Sequence, residues 1–225
     1  MTAEGIRVCI SAEPTARFTI PFRTRAVWAG ITTVISGTAS LRPTPGQRIV
    51  QQTLMPSAVI VEIDHHGEGA AVTRDRALQR VTTEWVAYLD SDDQFKANHL
   101  QVLYDCAMRT GADVAYSWYE AVGFGRDPLP HFGKPFDPLN PTQTTITVLE
   151  RTALAQRIGF RKPPEGALIN GERYGEDFLH TVEMVAAGAH IVHEPVRSWI
   201  WNFHGANTSG IPGRGDAALP SGATR

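Results

Sequence analysis

The chain has 225 residues, and its length and 42% hydrophobic content suffice for one sizeable core, so a single domain is expected. Its 21 basic and 23 acidic residues give a formal charge of -2, which provides no general attraction to nucleic acid or to an anionic membrane. Cys9 and Cys106 are too few for a disulfide framework and favour a reducing compartment.

Neither an export signal nor a membrane span is predicted. The N-terminus lacks a basic flank followed by an apolar segment and a small-residue cleavage site. The longest weakly polar run, residues 26–41, is too short and too rich in Thr, Ser and Gly to cross a bilayer. We therefore expect a soluble chain that resides in the cytoplasm.

The first half alternates short apolar strands with amphipathic helices, as in an α/β domain with a largely parallel sheet. The first strand could be either segment 7–11 or segment 17–22. A strand follows at 58–64, and a glycine-rich turn then enters a helix in which Arg74 shares the inward face with apolar residues. The next predicted elements are a strand at 85–89, a helix within 99–111 that ends at a glycine, and a strand from residue 114.

The second half also alternates strands and helices, but its loops are longer. A proline-rich loop is predicted over 122–143, followed by a short strand and a helix within 144–160 and an irregular loop over 160–175. A helix then begins at Glu176, and a strand follows within 197–205. The inward face of that helix is predicted from apolar spacing to consist of Phe178, Val182, Val185 and Ala186.

Three carboxylates, Asp90, Asp92 and Asp93, directly follow a strand that is predicted to be buried. Like charges at this spacing raise one another's pKa unless a cation or several hydrogen-bond donors hold them. A D-x-D motif at the carboxyl end of a strand suits Mn²⁺ or Mg²⁺, which can bridge carboxylates to a diphosphate. The alternative is a polar loop in which Asp93 caps the next helix.

Further candidates lie near the same predicted edge of the sheet. Asp64 also ends a strand, and Arg74 faces it from a helix whose N-terminal amides could receive an anion. Their alternatives are turn capping for Asp64 and a side chain at the rim of the core for Arg74. Glu176 and Asp177 could equally be ordinary acids of a first helical turn.

The residues carry a resemblance at this point. The segments "QTLMPSAVIVEID", "GAAVTRDRAL" and "TTEWVAYLDSDD" resemble the nucleotide-binding half of a family 2 glycosyltransferase with the GT-A fold. The segments "GEDFLHTVEMVAAGAHIVHEP" and "WNFHGANTSG" resemble its acceptor-side helix and closing histidine strand. The ordered match from residue 52 to residue 210 implies transfer of a sugar from a nucleotide diphosphate donor, UDP-sugar above all, to an acceptor hydroxyl, usually with inversion.

The resemblance implies a role for each candidate residue. Asp64, Arg74, Asp90 and Ser91 would bind the nucleotide-sugar. A Mn²⁺ or Mg²⁺ ion would be held by Asp92, Asp93 and His204, although a histidine on a strand is otherwise more often structural. Asp177 would be the general base, with Glu176 as the second candidate.

The resemblance also implies a domain division and leaves two rival functions. The GT-A domain would span 1–205, with a nucleotide-sugar half at 1–121, an acceptor half at 122–205 and a flexible tail at 206–225. A sugar nucleotidyltransferase would need a basic, glycine-rich phosphate loop near the N-terminus, and none is evident. A carbohydrate-binding protein could use tryptophans as platforms, but Trp85, Trp199 and Trp201 fall in predicted strands and are expected in the core.

Overall fold

The computed structural model describes residues 7–10, 28–38, 51–123, 131–141, 146–166, 168–169 and 172–202. The strands are β1 (Arg7–Ile10), β2 (Trp28–Thr38), β3 (Met55–Asp64), β4 (Trp85–Asp90), β5 (Gln94–Phe95), β6 (Val114–Val122), β7 (Val148–Arg151), β8 (Leu168–Ile169), β9 (Glu172–Arg173) and β10 (Ile191–Asn202). The helices are α1 (Ala70–Leu78), α2 (His99–Thr110), α3 (Thr152–Ile158) and α4 (Glu176–Ala186).

Within the described residues, eight strands form one sheet in the order β1-β3-β2-β4-β7-β6-β10-β5, and β8 pairs with β9 in a separate antiparallel hairpin. The pairs β1–β3, β2–β3, β2–β4 and β6–β10 are parallel. Strand β7 runs antiparallel to both of its neighbours, β4 and β6, and thereby joins two parallel groups. The edge strand β5 is antiparallel to β10. The predicted α/β class with a mostly parallel sheet is confirmed.

The carboxyl ends of three neighbouring parallel strands meet at one edge of the sheet. Thr38 of β2 lies opposite Asp64 of β3, and Ser36 of β2 lies opposite Asp90 of β4. This register brings the strand ends that carry Asp64 and Asp90 to the same edge, which is where open α/β sheets bind ligands.

The central strands are covered on both faces. Residues 85–89 of β4 and 31–36 of β2 are all buried, and the expected core residues Trp85, Trp199 and Trp201 are buried as well. Strand β6 is buried at each of residues 114–119 and does not alternate as its sequence suggests. Strands that are covered on both faces lose the alternating pattern of half-exposed strands.

One of the two segments predicted as the first strand, 7–11, does form a strand, β1 (Arg7–Ile10), but the strand at 28–38 was not predicted. Strand β2 occupies the position between β3 and β4, whereas segment 7–10 is an edge strand beside β3 and segment 17–22 lies outside the described residues. The Thr- and Gly-rich sequence of β2 conceals a buried strand, in which a buried hydroxyl is bonded to a residue that is distant in sequence. Thr83 Oγ1 donates a hydrogen bond of 2.7 Å to Thr32 Oγ1, for example.

The predicted inward face of α4 is wrong. Phe178, Val182 and Val185 are only half-buried and Ala186 is exposed, whereas the buried residues of the helix are His180, Thr181 and Met184. The inward position of a histidine follows from a buried partner on β7, which apolar spacing alone cannot reveal.

The two predicted halves share one sheet. Their boundary, residue 121, falls within β6, and strands from both sides of it are hydrogen-bonded neighbours. The predicted tail at 206–225 lies outside the described residues. In the described part of the chain, no helix combines the length and the apolar character that a bilayer crossing requires.

Candidate active site

The loop after β4 is fixed by backbone hydrogen bonds. Ser91 N–H donates to the carbonyl oxygen of Ser36 at 3.0 Å, and Asp93 N–H donates to the carbonyl oxygen of Asp90 at 3.1 Å. Asn202, at the end of β10, donates its backbone N–H to Asp93 Oδ1 at 3.0 Å and its side-chain Nδ2 to the carbonyl oxygen of Asp92 at 2.6 Å. The last described strand therefore holds this loop in place.

The two acids of this loop differ in exposure. Asp92 is exposed, whereas Asp93 is buried, and its carboxylate does not cap α2, which begins five residues later after Asn98. Burial, followed by the charges of Asp90 and Asp92, raises the pKa of Asp93 well above its ordinary value. The repulsion expected between these carboxylates is therefore present in the protein.

Arg74 lies inside the site and bridges two of its acids. Its Nη2 donates to Asp90 Oδ1 at 2.5 Å, and its Nη1 donates to Glu176 Oε1. The arginine side chain is 6% exposed, in agreement with the predicted inward orientation. Burial alone would lower the pKa of Arg74, but the charges of Asp90 and Glu176 outweigh burial and raise it. The guanidinium thus connects the sheet edge to α4.

Asp64 organises the turn that leads into α1. Its Oδ1 accepts backbone N–H groups from Glu68 at 2.9 Å and His66 at 3.3 Å, and its Oδ2 accepts the N–H of Gly69 at 2.8 Å. The bonds from Gly69 and Glu68 lower the pKa of Asp64. Three backbone amides of this turn, those of His66, Glu68 and Gly69, therefore already bind a carboxylate.

Asp177 and Glu176 open α4 but have different surroundings. Glu176 is paired with Arg74, whereas Asp177 Oδ1 accepts the backbone N–H of Phe178 at 2.8 Å. Burial, followed by the charge of Glu176, raises the pKa of Asp177 to about 6. A carboxylate with a raised pKa close to other charged groups is a candidate proton acceptor.

The described residues contain no cluster of three or more His, Cys, Asp or Glu side chains arranged to hold a metal ion. Mg²⁺ is commonly bound by one or two carboxylates together with substrate phosphates, so a cation that arrives with a diphosphate needs no larger cluster. The exposed Asp92 beside the buried Asp93 fits a hard cation bound in this way. His204 lies outside the described residues.

Several residues of the site were not predicted from the sequence. Asn202 is bonded to the Asp92–Asp93 loop, and the Lys162 side chain lies over Gly69 with its Cε 3.6 Å from the place of an added Cβ. Glu150 of β7 and His180 of α4 form a buried pair. A glutamate that interrupts the apolar run of β7 is the one sequence signal that could have pointed to this pair.

The comparison with known families decides which family these features belong to. A family model described as Glycosyl transferase family 2 matches residues 47–162, just over half of the chain. The chain belongs to glycosyl transferase family 2. The matched region of this family 2 chain includes Asp64, Arg74 and the loop after β4, and it ends before Glu176 and Asp177. The resemblance predicted from the sequence is confirmed.

Individual relatives agree with the family. A Bacillus subtilis protein named as a teichuronic acid biosynthesis glycosyltransferase, TuaG, is 34% identical over 64 residues, which are 28% of this chain and 25% of that relative. S. aureus TarS, solved in complex with UDP-GlcNAc, matches with a TM-score of 0.61 at 15% identity over 79% of this chain and 59% of its own.

A further solved structure has the same fold. The mannosyltransferase PcManGT from Pyrobaculum calidifontis, in complex with GDP-Man and Mn²⁺, matches with a TM-score of 0.57 at 13% identity over 79% of this chain and 58% of its own. These structural matches confirm the predicted GT-A-like fold. The family 2 chain spans a quarter of the curated relative and less than two thirds of the solved chains.

Proposed function

We propose that this chain transfers a sugar from a nucleotide diphosphate donor, UDP-sugar above all, to an acceptor hydroxyl with inversion at the anomeric carbon. The observation that carries the proposal is the Arg74 bridge, which joins the carboxylate at the end of β4 to the first turn of α4 in one buried site. In this proposal the sheet edge is the donor side, where open α/β sheets bind ligands, and the acid at the start of α4 would face the acceptor. Membership of family 2 supports the same reaction.

The donor side would consist of Asp64, Arg74, Asp90 and Ser91. The position of Asp64 and Asp90 on neighbouring strand ends supports their role in nucleotide binding. UDP is favoured because TarS is bound to UDP-GlcNAc, but the GDP-Man of PcManGT makes GDP the necessary comparison. The carboxylate of Asp90 is half-buried, and Arg74 binds one of its oxygens. The second oxygen would face the ribose.

A divalent cation, Mn²⁺ or Mg²⁺, would bind with the donor diphosphate. Asp92 is the main ligand in this proposal because its side chain is exposed, and Asp93 and His204 would complete the protein's contribution. When bound, the cation would neutralise the negative charge that develops on the departing nucleoside diphosphate. The Mn²⁺ in the PcManGT complex supports this choice of ion.

Asp177 is the proposed general base, in preference to Glu176. The Glu176 carboxylate is held by a buried arginine, which occupies one of its oxygens. Asp177 has no such ion pair among the described residues, and its raised pKa makes it the better proton acceptor near neutral pH. Its carboxylate would take the acceptor proton as the hydroxyl oxygen attacks the anomeric carbon. The bond from that carbon to the phosphate oxygen would break, and the diphosphate would leave with the electron pair.

Two further assignments follow from the same proposal. The catalytic domain would span 1–205, with the nucleotide-sugar half at 1–121, the acceptor half at 122–205 and a separate tail at 206–225. A cytoplasmic location would supply nucleotide-sugars, and the buried free thiol of Cys106 is compatible with a reducing compartment.

The variant Asp177→Asn tests the proposal. Amide replaces carboxylate with nearly the same shape, so donor affinity measured by calorimetry should stay within about twofold. Transfer should fall by about 10²- to 10⁴-fold, the usual contribution of a positioned base. Asp105→Asn, on the exposed side of α2, is the matched control and should leave both quantities unchanged. Transfer near the wild-type rate in Asp177→Asn would exclude Asp177 as the base.

A further inference from the structure

A buried histidine of α4 faces a buried acid of β7, and neither residue has a role assigned above. His180 Nε2 is 3.1 Å from Glu150 Oε2 and 3.2 Å from Oε1, and both side chains are at most 2% exposed. Tyr88 donates its hydroxyl to Glu150 Oε2 at 3.3 Å, and the ring of Phe160 stacks on His180 at 4.1 Å. Protein groups therefore contact the polar atoms of both residues and the histidine ring.

Both ring nitrogens of His180 face oxygen atoms that accept hydrogen bonds. Its Nδ1 lies 2.9 Å from the carbonyl oxygen of Gly159, which can only accept a hydrogen. Its Nε2 faces the carboxylate of Glu150. A hydrogen on Nδ1 bonds to the carbonyl oxygen, and a second proton is shared between Nε2 and the carboxylate. If this shared proton were lost, two hydrogen-bond acceptors would face each other.

The position of the pair links it to the site. His180 follows Asp177 by three residues and Glu176 by four on α4, so all three side chains point to the same side of the helix. Glu150 lies on β7 opposite Val86 of β4, the strand that ends in Asp90. A bond between Glu150 and His180 thus fixes α4 to the sheet one helical turn beyond Asp177.

We propose that Glu150 and His180 are positioning residues for sugar transfer: their shared proton holds the first two turns of α4 against β7 and thereby aims the Asp177 carboxylate into the site. This inference rests on the proposed function in one respect, the role of Asp177 as the base. The attachment of α4 by the pair is independent of that role.

The attachment of α4 to β7 should weaken at alkaline pH. Burial alone would lower the pKa of His180, but the charge of Glu150 and the bonds to Glu150 and Gly159 outweigh burial and raise it above 6.5. A histidine whose pKa is raised by folding stabilises the fold at lower pH, and this stabilisation is lost as the pH rises through the folded-state value. The other titratable or charged groups near the pair are Tyr88, Arg74, Asp75 and Glu183.

The experiment compares the full-length wild type with His180→Gln and Glu150→Gln. Glutamine at 180 cannot titrate and does not reproduce the two ring N–H positions that face Glu150 and the carbonyl oxygen of Gly159, so we expect kcat to fall by about 10- to 100-fold, unchanged donor affinity, and no alkaline limb in the pH profile of kcat. Glutamine at 150 removes the charge that raises the pKa of His180, so the alkaline limb should move to lower pH. His190→Gln, an exposed histidine after α4, is the matched control and should behave as wild type.

A second measurement separates this inference from the proposed function. Amide hydrogen exchange of residues 176–186, followed at one pH for all variants, should be faster in His180→Gln and in Glu150→Gln than in His190→Gln. If Asp177→Asn stays active while this exchange result holds, the proposed base is wrong but the attachment of α4 stands. A wild-type kcat and alkaline limb in His180→Gln, or unchanged exchange in both variants, would overturn the positioning role. If the variants do not fold, the wild-type pH profile tests the positioning role by itself. A wild-type kcat without an alkaline limb would exclude that role.

Discussion

Arg74 and Glu176 form an ion pair across 102 positions of sequence, and this pair joins α1 to the first turn of α4. The same guanidinium binds Asp90 at the end of β4, so one buried cation balances carboxylates from two parts of the fold. Loss of the cation would leave both acids without compensation in a site that already contains Asp93 and Asp177. Arg74 is therefore a structural residue as well as a proposed donor-binding one.

The first prediction is that Arg74→Ala lowers the free energy of unfolding by about 3–5 kcal/mol, the usual cost of removing one partner from a buried ion pair. Donor affinity should also fall when it is measured at a temperature at which the variant remains folded. Urea denaturation provides the stability measurement. The exposed pair Arg109–Glu194 offers a control, since Arg109→Ala should cost about 0–1 kcal/mol. Equal costs for the two variants would show that the bridge contributes no more than a surface pair.

A second prediction concerns the acid side of the pH profile. The kcat of transfer should decrease as the pH falls through about 6, because the pKa of Asp177 is raised to about 6 and only its charged form accepts a proton. Glu176→Gln removes a negative charge that raises this pKa, so the acid limb should move to lower pH. An acid limb at the same pH in both proteins would assign the limb to another group.

The third prediction is that UDP binding depends on a divalent cation through Asp92. Calorimetric titration of UDP should give a lower affinity in the presence of EDTA than with Mn²⁺, because the cation links the diphosphate to the carboxylate. Asp92→Asn should remove most of that difference, whereas Asp105→Asn should keep it. A UDP affinity that EDTA leaves unchanged would contradict the proposed metal dependence. The same titration with GDP tests the preference for uridine.

A fourth prediction compares two glycines with similar positive φ angles. Gly159 has φ 71° and ψ 179°, and an added Cβ would lie 2.9 Å from Asp75 Oδ1, whereas Gly111 has φ 68° and no atom within 4 Å of an added Cβ. Gly111→Ala should cost about 1–2 kcal/mol from its left-handed conformation alone. Gly159→Ala should cost more, because it also displaces the carboxylate that accepts the N–H of Phe160. Thermal unfolding of both variants provides the measurement. An equal loss of stability in the two variants would contradict the prediction.

The sequence predicts the elements of this fold whose side chains follow a simple period. The strand before Asp64, the inward orientation of Arg74 and the α2 helix that ends at Gly111 were all accessible from spacing and turn chemistry. Strand β2 was not, because the burial of its polar side chains depends in part on partners that are distant in sequence. Thr32, for example, accepts its hydrogen bond from Thr83.

The candidate site was likewise predicted only in part from the sequence. The acids were identified from their places after strands, but their partners were not, since the contacts of Arg74 with Glu176 and of Asp93 with Asn202 depend on how distant segments pack. Apolar spacing also gave the wrong face for α4, because a buried glutamate on β7 makes an inward His180 favourable. Periodicity reports the average polarity of a face and carries no information about a specific polar partner.

The bonds from Asn202 to the loop after β4 have a consequence for the order of folding. They connect residues 109 and 110 positions apart, and Asn202 lies at the end of the last described strand. A chain made from its N-terminus at about 5–20 residues per second therefore completes β4 several seconds before the residue that fixes its acidic loop is synthesised. The proposed donor site thus matures late, and a nascent chain that stops short of β10 would lack both bonds that Asn202 makes to the Asp92–Asp93 loop.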